Sequence, residues 1–345
     1  MRLAFLLSGE HPGIPGEEVK AVLEALEVPY SVVGEMRSCL LLDISPSEGL
    51  FRDLAERLSF TRSFGRVLSI MDPSDFPAIL RDLEPPRLSG RFRVRSFRIE
   101  GCCRSIKRYE VESKLGEWIL MANEGAKVDL ENPDYEVIAV LTSDTIVVYL
   151  KEGEVDRSLF RVKEVAARPY VHPASMRPTL ARAMVNLART RRGDKVLDPF
   201  LGVGGIALEV LSVGARLIGV DIDEKTVVKA KNNMITYGFL EGYSLLVGDA
   251  LKLDLGEKVD RIVTDPPYGR MSVSRGYAPR ELASRFIFKI PEYLRSGGWV
   301  SISVPADFLS SKDFEEVGFD VIKWFDVREH RSLTRRIWVG RLSDP

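Results

Sequence analysis

The stretch VLDPFLGVGGIALE, from Val196 to Glu209, decides the fold class of this chain. Its apolar beginning is typical of a buried strand, and that strand ends at Asp198. Gly202, Gly204 and Gly205 follow, where glycine lets a ligand approach the backbone at a helix N-terminus whose free N–H groups point outward. The stretch lacks the G-x-G-x-x-G spacing that seats a pyrophosphate, and the carboxylate of Asp198 would repel one. It therefore predicts the first strand–turn–helix unit of an α/β domain with a different ligand.

Strands and helices alternate after a helical segment that begins beyond Pro173. The successive elements are KVLDPF, GIALEVLSVG, RLIGVDI, DEKTVVKAKNNMITYG, YSLLVGDA, VDRIVTDPP, ELASRFIFKIPEYL and GWVSISVP. This alternation is the pattern of a doubly wound, mostly parallel sheet of the Rossmann-like kind. The sequence predicts that this α/β domain spans residues 173–345.

Acidic residues end three of these strands. Asp198 suits a ligand with an ammonium group, and Asp221, 23 residues further on, stands where a carboxylate accepts hydrogen bonds from ribose hydroxyls. Asp249 follows the next strand, where it is placed to accept from an adenine amino group. A single aspartate at a strand end is more often a cap or turn former, but the three in order describe S-adenosylmethionine. The candidate cofactor-binding residues are Asp198, Phe200, Gly202, Gly204, Asp221, Ile222, Asp249, Ala250 and Asp265.

The fourth strand runs into TDPPYGR, Thr264 to Arg270. Two prolines fix the backbone, so the aspartate and tyrosine beside them are held at set angles. The exocyclic amine of a nucleobase is a poor nucleophile, and two acceptors, Asp265 and the carbonyl of Pro266, would aim its lone pair at a methyl group. Tyr268 would stack on the base. The candidate catalytic residues are Asp265, Pro266, Pro267 and Tyr268, and the three upstream motifs disfavour an ordinary proline-rich turn.

Composition limits the class of protein. The chain has 345 residues, enough for two or three domains, with 45% hydrophobic and 29% charged residues, as in globular proteins. Apolar runs are strand-sized and no leader segment is recognised, so a cytoplasmic location away from membranes is expected. Three cysteines without C-x-x-C spacing and three histidines predict no metal site and no disulfide framework.

Positive charge is concentrated in one block. Between Arg87 and Lys114 there are nine basic and three acidic residues, although the net charge of the chain is −1. Such a block is the footprint of a protein that binds a phosphate backbone, while a salt-bridged, solvated face is an equally good reading of the charge alone. The candidate RNA-binding residues are Arg91, Arg93 and Arg95, on one face of a predicted strand, with Lys107 and Arg108 at the start of a helix.

The first half of the chain reads as two small α+β units and a linker. Residues 1–75 include PGEEVKAVLEALE, in which apolar residues recur at helical spacing. Residues 76–151 contain the basic block and a pair of apolar strands. Residues 152–172 are charged and include ARPYVHP, which is typical of a linker.

Together these motifs resemble a known family. VLDPFLGVGGIALE, GVDID, GDA and TDPPYGR, preceded by HPASMRPTLARAMVNLAR, are similar to class I S-adenosylmethionine-dependent methyltransferases that modify amino groups, and among these to the archaeal tRNA guanine-10 N2-methyltransferases. RFRVRSFRIEG, KRYEVESKLGEWI and GAKVDLENPDYEV resemble an RNA-binding THUMP domain, preceded by a ferredoxin-like segment at 1–75. The family commonly has Cys-Gly-Thr-Gly where this chain has Leu201-Gly202-Val203-Gly204, which removes any hydroxyl contact from that turn.

The resemblance implies a seven-stranded methyltransferase domain and methylation of the N2 amine of guanine-10 in tRNA, once or twice. It also implies, for some members, a small zinc-ribbon activator protein as partner. An rRNA guanine N2-methyltransferase and a DNA adenine N6-methyltransferase remain alternatives, because DPPY serves adenine equally well. A non-enzymatic RNA-binding protein is disfavoured because the loop acid and the glycines are all retained.

Overall fold

The structure, a computed structural model, describes residues 1–172, 175–268, 276–330 and 333–344. Gly269 and Arg270, the end of the TDPPYGR motif, lie outside the described residues. The chain forms two compact units. One comprises residues 1–10, 28–56 and 60–155, and the other comprises residues 11–27, 57–59 and 156–345.

The strands are β1 (Arg2–Leu7), β2 (Tyr30–Met36), β3 (Cys39–Ile44), β4 (Thr61–Met71), β5 (Gly90–Arg98), β6 (Ala126–Val128), β7 (Tyr135–Leu141), β8 (Ile146–Glu154), β9 (Lys195–Asp198), β10 (Arg216–Asp221), β11 (Tyr243–Val247), β12 (Val259–Thr264), β13 (Leu294–Pro305), β14 (Phe319–His330) and β15 (Leu333–Leu342). The helices are α1 (Ile14–Ala25), α2 (Leu50–Arg57), α3 (Arg108–Met121), α4 (Ser158–Arg161), α5 (Pro178–Leu187), α6 (Gly205–Ser212), α7 (Glu224–Thr236), α8 (Pro279–Tyr293) and α9 (Ser311–Glu315). None of the helices in the described ranges is both long and apolar enough to cross a membrane.

The first unit is built on one eight-stranded sheet in the order β2-β3-β1-β4-β8-β7-β5-β6. β5 runs parallel to β6 and β7, and the other pairs are antiparallel. Phe92 and Val94 of β5 are buried, and they share a core with Leu115 and Ile119 of α3. The period-two pattern of β5 therefore does place its apolar side chains inward. Because β4 pairs with β8, the strands of residues 1–75 and 76–151 belong to a single sheet.

The second unit contains the predicted doubly wound sheet. Its seven strands lie in the order β11-β10-β9-β12-β13-β15-β14, and the first five are parallel. β15 and β14 are antiparallel additions at one edge. The mostly parallel, seven-stranded fold expected from the sequence is confirmed, and it brings the ends of β9, β10, β11 and β12 to the same edge of the sheet.

Helix α1 belongs to the second unit, not to the sheet formed by its flanking strands. Glu18 of this helix is fully buried, and its Oε1 accepts hydrogen bonds from Ser59 Oγ at 2.6 Å and from Asn186 Nδ2 at 2.8 Å. Glu17 pairs with Arg189 at 3.0 Å. The grouping thus differs from the contiguous 1–75 segment that the sequence suggested, because the polar groups of α1 find their partners on and after α5.

The segment predicted to be a linker also packs into the second unit. β8 extends to Glu154, and α4 and a short 3-10 turn at residues 165–167 follow. Lys163 is buried and lies 2.8 Å from Glu209 of α6. Residues 156–172 are consequently part of a folded unit. The four domain boundaries inferred from the sequence stay predictions.

Candidate active site

A cavity of about 400 Å³ lies at the edge of the second sheet where the parallel strands end. Most of the predicted cofactor and catalytic residues line it. Its wall contains Asp198, Phe200, Gly202, Asp221, Ile222, Asp249, Ala250, Asp265, Pro266, Pro267 and Tyr268, together with His172, Ser175, Met176, Lys229, Tyr277 and Leu282. The four stretches that the sequence singled out therefore meet in one place.

The glycine turn is held by the carboxylate of Asp221. The N–H of Gly202 donates to Oδ2 of Asp221 at 2.9 Å, and Asp221 Oδ1 accepts from the N–H of Asp223 at 3.0 Å. Gly202 and Gly204 both have positive φ, 52° and 85°, which favours glycine. Gly204 is absent from the cavity wall, and a Cβ there would lie 3.4 Å from Ala230 of α7. Its place among the cofactor-binding residues remains a prediction, while its observed role is to bring α6 close to α7.

Asp198 is almost completely buried at the end of β9. Its Oδ1 accepts from Thr264 Oγ1 at 2.7 Å and from the N–H of Phe200 at 3.3 Å. Burial raises the pKa of Asp198 to about 7, which those two hydrogen bonds oppose. The negative charge at this position is thus costly until a cation or a proton neutralises it.

The other two strand-end acids are less buried. Burial raises the pKa of Asp221, and backbone hydrogen bonds from Asp223 and Gly202 act against that rise. Asp249 Oδ1 accepts from the N–H of Leu251 at 3.0 Å, so this side chain does shape its turn. Both carboxylates retain acceptor capacity, because an ionised carboxylate has about four lone-pair sites.

Asp265 follows β12 and makes an ion pair that the sequence did not predict. Arg335 Nη1 donates to Asp265 Oδ2 at 2.6 Å, and the Arg335 side chain is only 4% exposed. Burial raises the pKa of Asp265 to about 6, although Arg335 favours the ionised form. Oδ1 of Asp265 has no hydrogen-bond partner among the described residues, and neither has Oη of Tyr268. This half of the cavity therefore has unused polar capacity for a ligand.

Tyr268 lies beside the same guanidinium. The Arg335 Cζ is 5.0 Å from the centre of the Tyr268 ring, and burial raises the pKa of the phenol. Sequence reasoning missed Thr264 and Arg335, which contact the carboxylates of Asp198 and Asp265. It also missed residues of the cavity wall, among them His172, Ser175, Met176, Lys229, Tyr277 and Leu282. Thr264 directly precedes the DPPY motif, which was a usable signal, whereas no local pattern marks Arg335.

The predicted RNA-binding residues lie in the first unit, and the structure gives most of them intramolecular partners. Arg91 pairs with Asp134 at 3.0 Å, and Arg93 and Arg95 both pair with Glu136, at 3.1 and 3.4 Å. The three guanidinium groups share one face of β5, as expected from the alternation. Their charge is largely balanced by acids that follow the basic block in the chain.

The start of α3 carries the remaining predicted cations. Arg108 lies 3.7 Å from Glu112, and Lys107 Nζ lies 5.7 Å from the centre of the exposed Tyr109 ring. Lys107 and the nearby exposed Arg104 make no ion pair with a carboxylate in the described part of the chain. Together with the exposed Arg87, these two side chains leave accessible positive charge in the block.

The seven-stranded sheet and the cavity at its strand ends define a class I methyltransferase domain. Residues 166–334 match the RMKL-like methyltransferase domain family, and residues 82–151 match the THUMP domain family. The chain is 31% identical to the tRNA (guanine(10)-N2)-dimethyltransferase of Methanothermobacter thermautotrophicus over 341 residues, which cover 98% of this chain and 99% of that protein. It belongs to the family of the archaeal tRNA guanine-10 N2-dimethyltransferases.

Two further comparisons, one of sequence and one of structure, cover much of the chain. The tRNA (guanine(6)-N2)-methyltransferase of Thermus thermophilus is 32% identical over 273 residues, which cover 76% of this chain and 73% of that protein. The crystal structure of TrmN from Thermus thermophilus superposes with a TM-score of 0.56 at 24% identity and covers 99% of this chain and all of that one. The structural likeness establishes the shared fold.

Proposed function

We propose that this chain is a cytoplasmic enzyme that methylates the N2 amine of guanine-10 in tRNA, once and then a second time, with S-adenosylmethionine as methyl donor. The observation that carries the proposal is the position of Asp265. It stands at the end of β12, on the wall of the cavity formed by the glycine turn, Asp198, Asp221 and Asp249. An amine acceptor and a donor cofactor can therefore share one cavity.

The residues present suit S-adenosylmethionine. Asp198 is buried and lacks a cationic partner in the described residues, which fits an ammonium group. Asp221 and Asp249 would hold the ribose and the adenine, and the glycine turn would lie against the amino-acid part. When bound, the cofactor supplies an electrophilic methyl group carried on a sulfonium ion.

The chain itself would prepare the amine. The carboxylate of Asp265 and the carbonyl of Pro266 each accept one N–H hydrogen bond, so the nitrogen is held with its lone pair exposed. Tyr268 covers one face of the base. The methylated nitrogen is acidic enough to lose its proton to Asp265, whose pKa of about 6 suits that role, or to water. Extruding the base from its pair costs a few kcal/mol, roughly the scale of base flipping in other enzymes.

The decisive test is methylation of unfractionated tRNA with labelled cofactor, followed by nucleoside analysis. N2-methylguanosine early in the time course and N2,N2-dimethylguanosine later would support the proposal. Labelled N6-methyladenosine would refute it, and so would faster transfer to rRNA than to tRNA in a parallel reaction.

The position in tRNA needs a second experiment, because one relative acts on guanine-10 and another on guanine-6. Two tRNA transcripts suffice, one with the guanine-10 pair replaced by adenine–uracil and one with the guanine-6 pair replaced in the same way. We expect the first replacement to abolish methylation and the second to preserve it. The reverse result would assign the chain to position 6.

We also propose that a small zinc-ribbon activator protein, as the resemblance implies for some members, binds the free edge of β11. This edge exposes Leu246 and Val247, and Leu240 just before the strand is 75% exposed. An apolar strand edge of this kind is suited to pairing with another chain. Full activity of a monomeric, soluble chain without any partner would contradict this proposal.

A further inference from the structure

Arg335 lies outside the motifs predicted from the sequence, yet its side chain is buried and contacts the DPPY loop. It lies at the beginning of β15, opposite Pro305 of β13 and Val327 of β14. Because β15 is antiparallel to β13, its first residues reach the edge of the sheet where the parallel strands end. The register of the hairpin thus delivers a buried cation to the side of the DPPY loop.

The guanidinium contacts the two loop residues that are expected to handle the amine. It donates to the carboxylate of Asp265 at 2.6 Å and lies 5.0 Å from the centre of the Tyr268 ring. Its other side faces Glu329 of β14, whose Oε1 is 3.2 Å from Nε. A planar guanidinium can donate to a carboxylate in its own plane while its face lies against an aromatic ring, and a lysine ammonium has no such plane.

We propose that Arg335 is a positioning residue for methyl transfer, which holds the Asp265 carboxylate ionised and fixes its distance from the Tyr268 ring. The inference rests on the proposed function, since it assigns Arg335 a role toward the acceptor amine. Arg335 itself acts through Asp265 and Tyr268.

The charges around Asp265 make the inference testable by pH. Facing this carboxylate are Arg335 from β15, Glu329 from β14, Ser303 from β13 and Asp198 from β9. Burial and Glu329 favour the protonated form, whereas Arg335 and Ser303 favour the ionised form. Full activity requires the ionised form as acceptor. The pH at which the methylation rate falls on the acid side should therefore move when one of these groups is changed.

The experiment measures single-turnover methylation of tRNA by the full chain against pH, with saturating cofactor and tRNA. Arg335→Met should shift the acid limb upward by at least about one pH unit, because an adjacent arginine lowers a carboxylate pKa by about 1–3 units. Glu329→Gln should shift the limb downward, since it removes the opposing charge. Arg335→Lys should keep the limb near its wild-type position but transfer methyl more slowly, while its affinity for tRNA, measured by filter binding, stays unchanged.

Other outcomes overturn the inference. If Arg335→Met has the wild-type pH profile, Arg335 does not control Asp265; if Arg335→Lys has the wild-type rate, it does not position the loop. Should Arg335→Met fail to fold, the opposite shift in Glu329→Gln and the slowed Arg335→Lys decide the question.

A readout without activity separates this inference from the proposed function. The carboxyl carbon resonance of Asp265, assigned by its absence in Asp265→Asn, should titrate at higher pH in Arg335→Met than in the wild type. If the wild-type chain methylates no tRNA, the proposed function fails, and this titration still shows whether Arg335 holds Asp265 ionised. An unshifted titration in Arg335→Met overturns the inference even if tRNA is methylated.

Discussion

Asp198 carries a carboxylate that is 1% exposed and yet forms part of the cavity wall. Its pKa of about 7, raised by burial, means that a proton and a cationic ligand compete for the same oxygen atoms at neutral pH. Above pH 7 the ionised form predominates and attracts an ammonium group. Below pH 7 the carboxyl group is protonated, and the attraction is lost.

We therefore expect affinity for S-adenosylmethionine to fall below pH 7, by up to about tenfold per pH unit, because binding must then displace one proton. Calorimetric titrations across this range measure it. Asp198→Asn should bind weakly and without this dependence. Thr264→Val removes the hydroxyl that donates to Asp198 at 2.7 Å, so its affinity should begin to fall at a higher pH. A wild-type affinity that is constant with pH would show that Asp198 does not meet the ammonium group.

Asp265 supports a separate prediction about transfer. Asp265→Ala should reduce the single-turnover rate by at least about a hundredfold, since loss of one preorganised electrostatic contact costs this much in other enzymes. Cofactor binding should remain close to that of the wild type. Asp265→Asn keeps one acceptor oxygen and, at saturating cofactor, should retain a partial single-turnover rate that no longer falls at low pH. Near-normal turnover by the alanine variant would be incompatible with the mechanism.

The contrast between Asp265 and Arg335 shows what sequence can predict at this scale. Asp265 lies in a short rigid loop at a strand end, so its neighbours and its place in the fold both follow from local sequence. Arg335 comes 70 residues later and reaches Asp265 only through the antiparallel register of β15. No motif around Arg335 indicates that β15 lies beside β13 with this residue opposite Pro305.

Among the secondary-structure elements, β5 shows why the net charge of a sequence segment can exceed the positive charge that the folded surface presents. The arginine row was predicted correctly as one face, but Asp134 and Glu136 lie opposite it on or near β7. Exposed ion pairs contribute little to stability, yet they neutralise the charge that a phosphate would meet. The start of α3, with Lys107 and Arg104, is the better candidate for contact with RNA.

We expect Lys107→Ala combined with Arg104→Ala to raise the KM for tRNA and to reduce the salt dependence of binding by about 1.5–2 units of slope, since up to two phosphate contacts are lost. The matched control is Arg91→Ala with Arg95→Ala, which removes two paired cations and should change the slope less. Filter binding over a salt series measures both. If both double variants change the salt slope equally, the arginines of β5 contact the tRNA as much as Lys107 and Arg104 do.

Helix α1 shows that the sequence pattern predicts a helix but not the surface against which the helix packs. The helical spacing of its apolar residues predicted this helix correctly, because one apolar face is enough to indicate a helix that packs on some core. The deciding contacts are polar. Glu18 joins Ser59 and Asn186 in a buried network, and a buried polar group left unpaired costs more than its hydrogen bond contributes when made.

Glu18→Ala should consequently lower the free energy of unfolding by about 1–3 kcal/mol, because the amide of Asn186 and the hydroxyl of Ser59 lose their acceptor. Glu18→Gln, which keeps an acceptor oxygen, should cost less. Glu27→Gln, which alters an exposed pair with Arg191, should stay within about 0.5 kcal/mol of the wild type. Denaturant unfolding of the three variants checks the order, and an equal loss in all three would contradict the network.

For the whole molecule, the sequence predicted the α/β sheet better than the first half of the chain. Alternating strands and helices constrain a parallel sheet to few topologies, so its order and its ligand edge follow from the pattern. The first half interleaves two units, since residues 11–27 and 57–59 leave one sheet and join the other unit. A prediction that divides the chain into contiguous domains cannot identify short segments that pack into the other unit.

This interleaving determines how the methyltransferase unit can be isolated. A fragment of residues 156–345 lacks α1 and residues 57–59, so Asn186 and Arg189 lose the carboxylates of Glu18 and Glu17. We expect it to unfold at a lower temperature than the full chain. A synthetic peptide of residues 11–27, added in excess, should raise the unfolding temperature and restore cofactor binding, because a ligand that binds only the folded state stabilises it.

The same peptide with Glu18→Ala is the control and should have a smaller effect. The restored fragment should still fail to methylate tRNA, because it lacks β5 and α3. A fragment as stable as the full chain and indifferent to the peptide would show that α1 is dispensable. A restored fragment that methylated tRNA as fast as the full chain would show instead that the first unit has no part in docking the substrate.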